Sequence, residues 1–272
     1  MKDIHAHILP GVDDGARNWS VSEELLSMAW QQGIQSIIAT PHFTPQMSPE
    51  KLQTLLEELR ERARVISPDF QLSLGQEILY FEELPRYLTE GRALTLAKSR
   101  YVLIEFRPGD GYGRLCKAVR DLVQAGFFPV IAHVERYFCL REAGRLPQLA
   151  GMGALLQMNA GSLIGGGLDR QASWCRRQAA AGNIHFVATD MHDPARRPPR
   201  LAEARKAFSR VWWRERAAGL GQAGGRRGRS GLSRGAPLSR EELCSRLFGG
   251  NQSFILEDLA PDAWLSSDTD RM

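Results

Sequence analysis

Seven short apolar runs, each followed by an amphipathic stretch, constrain this chain more than any other feature. They are 2–7 (KDIHAH), 34–39 (IQSIIA), 70–78 (FQLSLGQEI), 101–106 (YVLIEF), 128–133 (FPVIAH), 154–159 (ALLQMN) and 184–190 (IHFVATD). The intervening sequence predicts helices over about 20–32, 49–66, 113–125, 141–150, 168–181, 200–213 and 239–248. The stretch from Ser20 has apolar residues at helical spacing, an acidic first turn and a terminal Gly33. The stretch from Ser48 opens on an N-cap serine with Pro49 in the first helical position. Strand–helix alternation of this kind predicts an α/β protein with parallel strands and crossover helices. A barrel is the economical arrangement; an open sheet satisfies the same pattern.

The length, 272 residues, and the 43% hydrophobic content suit one α/β barrel domain over 1–272. The net charge of +4 misleads, because seven arginines and one acid lie within 214–240. Without that segment, 28 basic and 30 acidic residues remain, a net of −2. A near-neutral body gives no reason to expect a nucleic-acid partner. The segment at about 214–238, rich in Gly, Arg and Ser, reads as a flexible insertion before a last helix. The cysteines (116, 139, 175, 244) are scattered, which fits a reducing, cytoplasmic setting. The N-terminus lacks the apolar region of a signal peptide, and no run of ~18 apolar residues predicts a membrane span.

Five of the six histidines fall at or just after the end of a predicted strand: His5, His7, His42, His133 and His192. Glu77, Glu105 and Asp190 share that address. In a β/α barrel the C-terminal strand ends open on one face, so these residues converge there. His5 and His7 are two apart on a strand, so both rings point the same way. Two inward imidazoles at one level call for a metal more than for a packed core. Asp13 and Asp14 follow in a turn; alone they would be turn formers, but beside two histidines one of them becomes a candidate ligand. His42, taken alone, could equally be a loop histidine. Glu105 interrupts an otherwise apolar strand, and a buried carboxylate needs a cation. Glu77 follows the same logic. Asp190 and His192 again lie two apart. His185 opens its strand rather than ending it and reads as structural.

With one of the two aspartates, the set reaches nine donors: His5, His7, Asp14, His42, Glu77, Glu105, His133, Asp190 and His192. Nine exceed the four to six positions around a single ion, so they point to two or three divalent ions with bridging carboxylates. Imidazole and carboxylate without thiolate favour Mn²⁺, Zn²⁺ or Fe²⁺, with Co²⁺ also compatible. Clustered metals suit phosphate-ester hydrolysis, one ion activating water while others neutralise the attacking and leaving oxygens. Arg136 and Arg197 lie on loops of the same face and offer planar forks to phosphoryl oxygens, although either alone would pass for a solvated arginine.

A second phosphatase signature competes with this one. Cys139 and Arg145 have the Cys-x5-Arg spacing of a thiolate phosphatase loop. Such a loop must leave a strand and wrap its N–H groups around phosphate at a helix N-terminus. Here the cysteine trails His133 by six residues, and Glu142 within the loop would repel a phosphate dianion. The spacing reads as chance.

The ordered motifs DIHAHILPGVDDGA, ATPHF, GQEI, YVLIEF, AHVERY, LLQMNAGSL and ATDMHDPARRPPRL resemble the metal-dependent protein-tyrosine phosphatases of the polymerase and histidinol phosphatase (PHP) superfamily, found in bacterial capsule and exopolysaccharide operons. The resemblance covers about 1–210. It implies a distorted (β/α)7, TIM-like barrel and a three-ion, manganese-preferring centre held by the nine residues named, with Asp14 as the aspartate ligand. It implies phosphate-binding roles for Arg136 and Arg197. Gln157 and Asn159 would line the pocket or orient ligands. The implied substrate is the phosphotyrosine tail of a membrane-associated tyrosine autokinase that controls polysaccharide export. A tyrosinate leaving group, with a pKa near ~10, departs without a strong general acid. Beyond residue 213 the resemblance fades, and oligomeric state is left open. Alternatives are a PHP-type phosphoesterase acting on a small phosphomonoester such as histidinol phosphate, or a non-catalytic module that docks on the kinase. An amidohydrolase shares His-x-His on its first strand, but Glu105 fits a phosphoesterase cluster better.

Overall fold

A computed structural model of the chain describes residues 1–210, 239–251 and 255. Its strands are β1 (Lys2–Ala6), β2 (Ser36–Ala39), β3 (Gln71–Leu74), β4 (Glu77–Leu79), β5 (Tyr101–Glu105), β6 (Phe128–Ile131), β7 (Leu155–Asn159) and β8 (Phe186–Ala188). All pairings between them are parallel, in the orders β1-β2-β3 and β4-β5-β6-β7-β8. The helices are α1 (Trp19–Gln31), α2 (Pro49–Ile66), α3 (Leu84–Thr89), α4 (Tyr112–Gln124), α5 (Arg145–Gly151), α6 (Arg170–Ala180), α7 (201–210, helical to the limit of the described residues) and α8 (Arg240–Ser245). This is the alternation of a distorted TIM-like fold. The segment expected to be a flexible insertion, 214–238, lies outside the described residues. Among those residues no helix is long and apolar enough to cross a membrane.

Local rules account for most elements. In α2 the Ser48 side chain accepts from Lys51 N, Pro49 occupies the first turn, and Leu52, Leu56, Leu59 and Ala63 are buried on one stripe. The helix stops before Ser67, whose backbone Pro68 biases away from helix. In α1 the cap is Asn18, accepting from Val21 N, one residue earlier than expected. Glu23 and Glu24 therefore fall beyond the first turn, which holds no acid.

The third expected strand is two strands. β3 pairs with β2, the chain bends at Gly75-Gln76, and β4 pairs with β5. Gly75 permits the bend: a Cβ there would stand 2.8 Å from Leu96 Cδ2 and 3.1 Å from its Cα. The two sheets meet twice. At one seam Asp190 N donates to His5 O and His7 N to Met191 O, each over 2.9 Å. At the other, Phe43 N donates to Glu77 O and Glu77 N to Pro41 O, at 2.8 and 3.1 Å.

Alternation along β5 to β8 sorts the residues by face. Val102, Ile104, Ile131, Leu156 and Val187 join a large cluster with the helix stripes, including Leu25, Leu56, Leu115 and Leu149. Tyr101, Leu103, Val130, Leu155 and Phe186 form a second, smaller cluster. Two to four residues further toward the C-terminal ends, that second face changes from apolar to polar: Glu105, Gln157, Asn159 and Asp190. The apolar layer is thus the floor beneath a polar one.

Candidate metal centre

Glu77, the first residue of β4, stands at the middle of the polar layer. Its Oε2 lies 3.2 Å from His5 Nε2, 3.1 Å from His7 Nε2 and 3.3 Å from His42 Nδ1. Its Oε1 lies 2.7 Å from His133 Nε2. Glu105 reaches His42 Nδ1 at 3.3 Å and His133 Nε2 at 3.6 Å. Asp14 Oδ1 faces His42 Nε2 at 3.3 Å and His192 Nε2 at 3.4 Å. Asp190 Oδ1 lies 3.4 Å from His5 Nε2. All nine candidate ligands are therefore neighbours in one site. Within it, three donor groups overlap: His7, Asp14, His42 and His192; His5, His7, Glu77 and Asp190; and His42, Glu77 and Glu105.

Partners behind the rings decide which nitrogen is bare. Gln157 Nε2 donates to Asn159 Oδ1 over 2.9 Å, so Gln157 Oε1 is left to accept. It accepts from His133 N at 2.8 Å and faces His5 Nδ1 at 3.2 Å. The His5 proton is thereby placed on Nδ1 and the Nε2 lone pair faces the cluster. His7 Nδ1 donates to Asp13 Oδ2 over 2.7 Å, again leaving Nε2 bare. Asp13 also accepts from His42 N and Gly15 N. Gly15 is required here, because a Cβ would stand 2.3 Å from His7 O. His192 Nδ1 donates to Asp190 O at 3.0 Å, and His192 Nε2 is buried with no hydrogen-bond partner among the described residues. His133 Nδ1 sits 3.1 Å from the hydroxyl of the buried Tyr137. Asn159 Nδ2 donates to Asp190 Oδ2 over 2.6 Å.

Tyr137 and the fully buried Glu135, which accepts from Asn159 N and Ser162 Oγ, are parts of the site that the sequence pattern does not single out, whereas Asp13 is weighed there beside Asp14 as a ligand. Asp13 carried a signal, being one of two adjacent aspartates; the others carried none. Two candidate ligand positions also hold strained backbone: His133 has φ +32° and Asp190 φ +52°. Left-handed backbone is uncommon outside glycine, and such outliers gather at functional sites.

The donor set fits divalent cations. Two imidazole lone pairs only 3.1 Å apart, on His5 and His7, repel each other unless a positive charge lies beside them. Nitrogen and oxygen ligands about 2.1 Å from one ion stand roughly 3–3.4 Å from each other, which is the spacing seen here. The orphaned His192 Nε2 is a lone pair with the same need. Electrostatics agree. Burial lowers the pKa of His5, yet Glu77 and Asp190 outweigh it and hold the ring up at about 9. Burial likewise opposes protonation of His42, but Glu105 and Glu77 raise it to about 9. Burial and then His7 push His192 down to about 4, keeping it neutral. Burial works to raise Glu77, and His5 leads the groups that hold it well below the usual carboxylate range. The site draws positive charge, as protons or as metal ions.

Arg136 and Arg197 stand at the mouth, and both donate to Asp190 Oδ2, Arg136 over 2.6 Å. Their side chains are 41% and 36% exposed, so they can meet an incoming anion. Cys139 does not form a phosphate cradle. It sits within a 3-10 turn, Phe138–Arg141, and burial pushes its thiol up despite Arg145. Arg145 pairs with Glu142 and lies over the Tyr112 ring. His185 is apart from the site; its Nδ1 accepts from Leu156 N at 3.0 Å.

A parallel β/α fold that gathers imidazoles and carboxylates into overlapping donor groups at its strand ends defines a metal-binding protein of the PHP type. The chain belongs to the family described as capsular polysaccharide synthesis, CpsB/CapC, whose model matches residues 1–220. It is 31% identical to the tyrosine-protein phosphatase CpsB of Streptococcus pneumoniae, over 81% of this chain and 94% of that one. It is 38% identical to the tyrosine-protein phosphatase YwqE of Bacillus subtilis, over 71% and 78%. A solved structure from work on YwqE and CpsB, described as unique metal-dependent tyrosine phosphatases, superposes with a TM-score of 0.74 at 29% identity, covering 96% of each chain. A D-hydantoinase structure matches with a TM-score of 0.50 at 10% identity, over 93% of this chain and 69% of that one, a likeness of fold alone.

Proposed function

We propose that the protein is a metal-dependent protein-tyrosine-phosphatase that removes phosphate from the tail of a membrane-associated bacterial tyrosine autokinase, on the cytoplasmic side, and so regulates capsule or exopolysaccharide synthesis. The observation that carries the reading is the overlap of three donor groups on Glu77, His7 and His42. The overlap supports a centre of three divalent ions, Mn²⁺ favoured, held by His5, His7, Asp14, His42, Glu77, Glu105, His133, Asp190 and His192. Such ions, when bound, lower the pKa of water and neutralise charge on phosphoryl oxygens.

The chain's own groups do the rest. Arg136 and Arg197 take the non-bridging phosphate oxygens as planar donors. Gln157 and Asp13 fix the protonated nitrogens of His5 and His7. No side chain is needed as a strong acid, since tyrosinate leaves readily. Phosphotyrosine rather than a small phosphomonoester is supported by the activities named for the CpsB and YwqE relatives. The two seams support closure of the sheets into one distorted (β/α)7 barrel. Burial of Leu243, Leu247 and Phe248 in the main core supports a single domain over 1–272.

The test is hydrolysis of a phosphotyrosine peptide after chelation and after Mn²⁺ is restored, with Cys139→Ser and His133→Ala alongside. Chelation abolishes turnover, Mn²⁺ restores it, Cys139→Ser is normal and His133→Ala is inactive. Turnover that survives chelation and dies with Cys139→Ser overturns the metal reading. Faster hydrolysis of histidinol phosphate than of the peptide overturns the substrate, and tight kinase binding without turnover would make the protein a docking module.

A further inference from the structure

We infer that Asp3 is a positioning residue for the metal centre: it clamps the seam between β1 and the end of β8, and so sets the spacing of His5 and His7 against Asp190 and His192. The inference rests on the proposed metal reading and adds to it a residue that is not a ligand.

The first and last strands, with the residues just after them, carry four of the nine candidate ligands, yet only an isolated bridge, Ala6 to Met191, joins them. β8 ends at Ala188, and the chain turns left-handed at Asp190. A strand that stops early leaves N–H groups without a partner strand. Asp3 collects them. It is 1% exposed, and its Oδ1 accepts from Thr189 N at 3.0 Å and from His5 N at 3.3 Å. Its Oδ2 accepts from the Thr189 hydroxyl. With its proton given to Asp3, that hydroxyl is free to accept from Met191 N at 3.2 Å. One carboxylate therefore holds the backbone on both sides of the seam, directly or through Thr189. It brackets the two backbone bonds at Asp190 and His7 that complete it. A carboxylate is a costly group to bury when packing alone is wanted. Three converging donors across a break in the ladder explain its presence, and the ligands one turn above inherit the geometry it fixes.

The test uses Co²⁺ uptake by the full chain, read from its visible absorption, which reports both affinity and coordination geometry. Asp3→Ala is expected to weaken Co²⁺ binding about ten- to a hundredfold and to change the spectrum. Asp3→Asn keeps an oxygen for Thr189 N and His5 N, and turns the Thr189 hydroxyl toward His5 O, 3.4 Å away. It is expected to restore binding to within about threefold of wild type. Leu59→Ala, in the α2 stripe, lowers thermal stability without moving Co²⁺ affinity or spectrum. Should Asp3→Ala fail to fold, Thr189→Val, which removes only the hydroxyl link, is expected to shift affinity and spectrum in the same direction. Wild-type affinity and spectrum in the alanine or valine variant overturn the inference, as does an equal shift in Leu59→Ala. A wild-type protein that takes up no Co²⁺ overturns the metal centre itself, and this inference with it.

Discussion

Asp13 donates nothing to the cluster directly; it takes the Nδ1 proton of His7 at 2.7 Å and leaves Nε2 bare. Its neighbour Asp14 is 67% exposed on its side chain and turns an oxygen to His42 and His192. Orienting partners typically alter metal affinity ten- to a hundredfold. Asp13→Asn is therefore expected to weaken metal binding by about that factor, with kcat recovered at saturating Mn²⁺. Asp14→Asn, lacking a ligand, leaves kcat depressed at saturation. Metal titrations of activity distinguish the two, and the roles are exchanged if Asp13→Asn alone resists rescue. Arg136→Ala and Arg197→Ala are each expected to lower kcat/KM by roughly ten- to a hundredfold, the worth of a charged hydrogen bond, with Mn²⁺ affinity little changed. At this scale the sequence exposes groups that end strands, because their chemistry contradicts an apolar run. It hides Tyr137 and Glu135, whose contacts depend on how loops cross after β6 and β7.

Elements were legible where local rules act alone. The α2 boundaries follow from Ser48, Pro49 and Pro68, and its four-residue stripe gives the buried face. Removing that cap, in Ser48→Ala, is expected to cost about 1 kcal/mol in a denaturant melt, with phosphatase activity unchanged. The bend between β3 and β4 was not legible. It depends on Leu96, a residue some twenty positions away that approaches Gly75 too closely for any side chain. α3 escaped for a related reason, being one short turn-and-a-half with no side-chain cap. Gly75→Ala tests the bend, since the new methyl group must push Leu96 or the strand. It is expected to destabilise by about 1–3 kcal/mol and, because Glu77 lies two residues on, to weaken metal binding as well. A variant that loses stability but binds metal normally would confine Gly75 to packing.

Across the whole molecule, charge and metal are linked through the same groups. Five carboxylates (Asp13, Asp14, Glu77, Glu105 and Asp190) face two arginines and five imidazoles. His5 and His42 are raised from 6.5 to about 9 by those carboxylates, so without metal they retain protons at neutral pH. The stability they contribute is present in full below pH 6.5 and is lost as pH rises through about 9. Metal ions take the place of those protons, so binding releases protons and tightens as pH rises. Chelated protein is therefore expected to melt at progressively lower temperature from pH 6.5 to 8.5. At a hundred times Kd, Mn²⁺ adds about 2.7 kcal/mol, a rise of roughly 5 °C in Tm for a chain of this size. That increment should grow over the same pH interval. Thermal melts of the two forms at three pH values decide the matter. Chelated protein that gains stability with pH would mean that His5 and His42 are neutral before metal arrives, and that cations are drawn to the site by lone pairs rather than by uncompensated carboxylate charge.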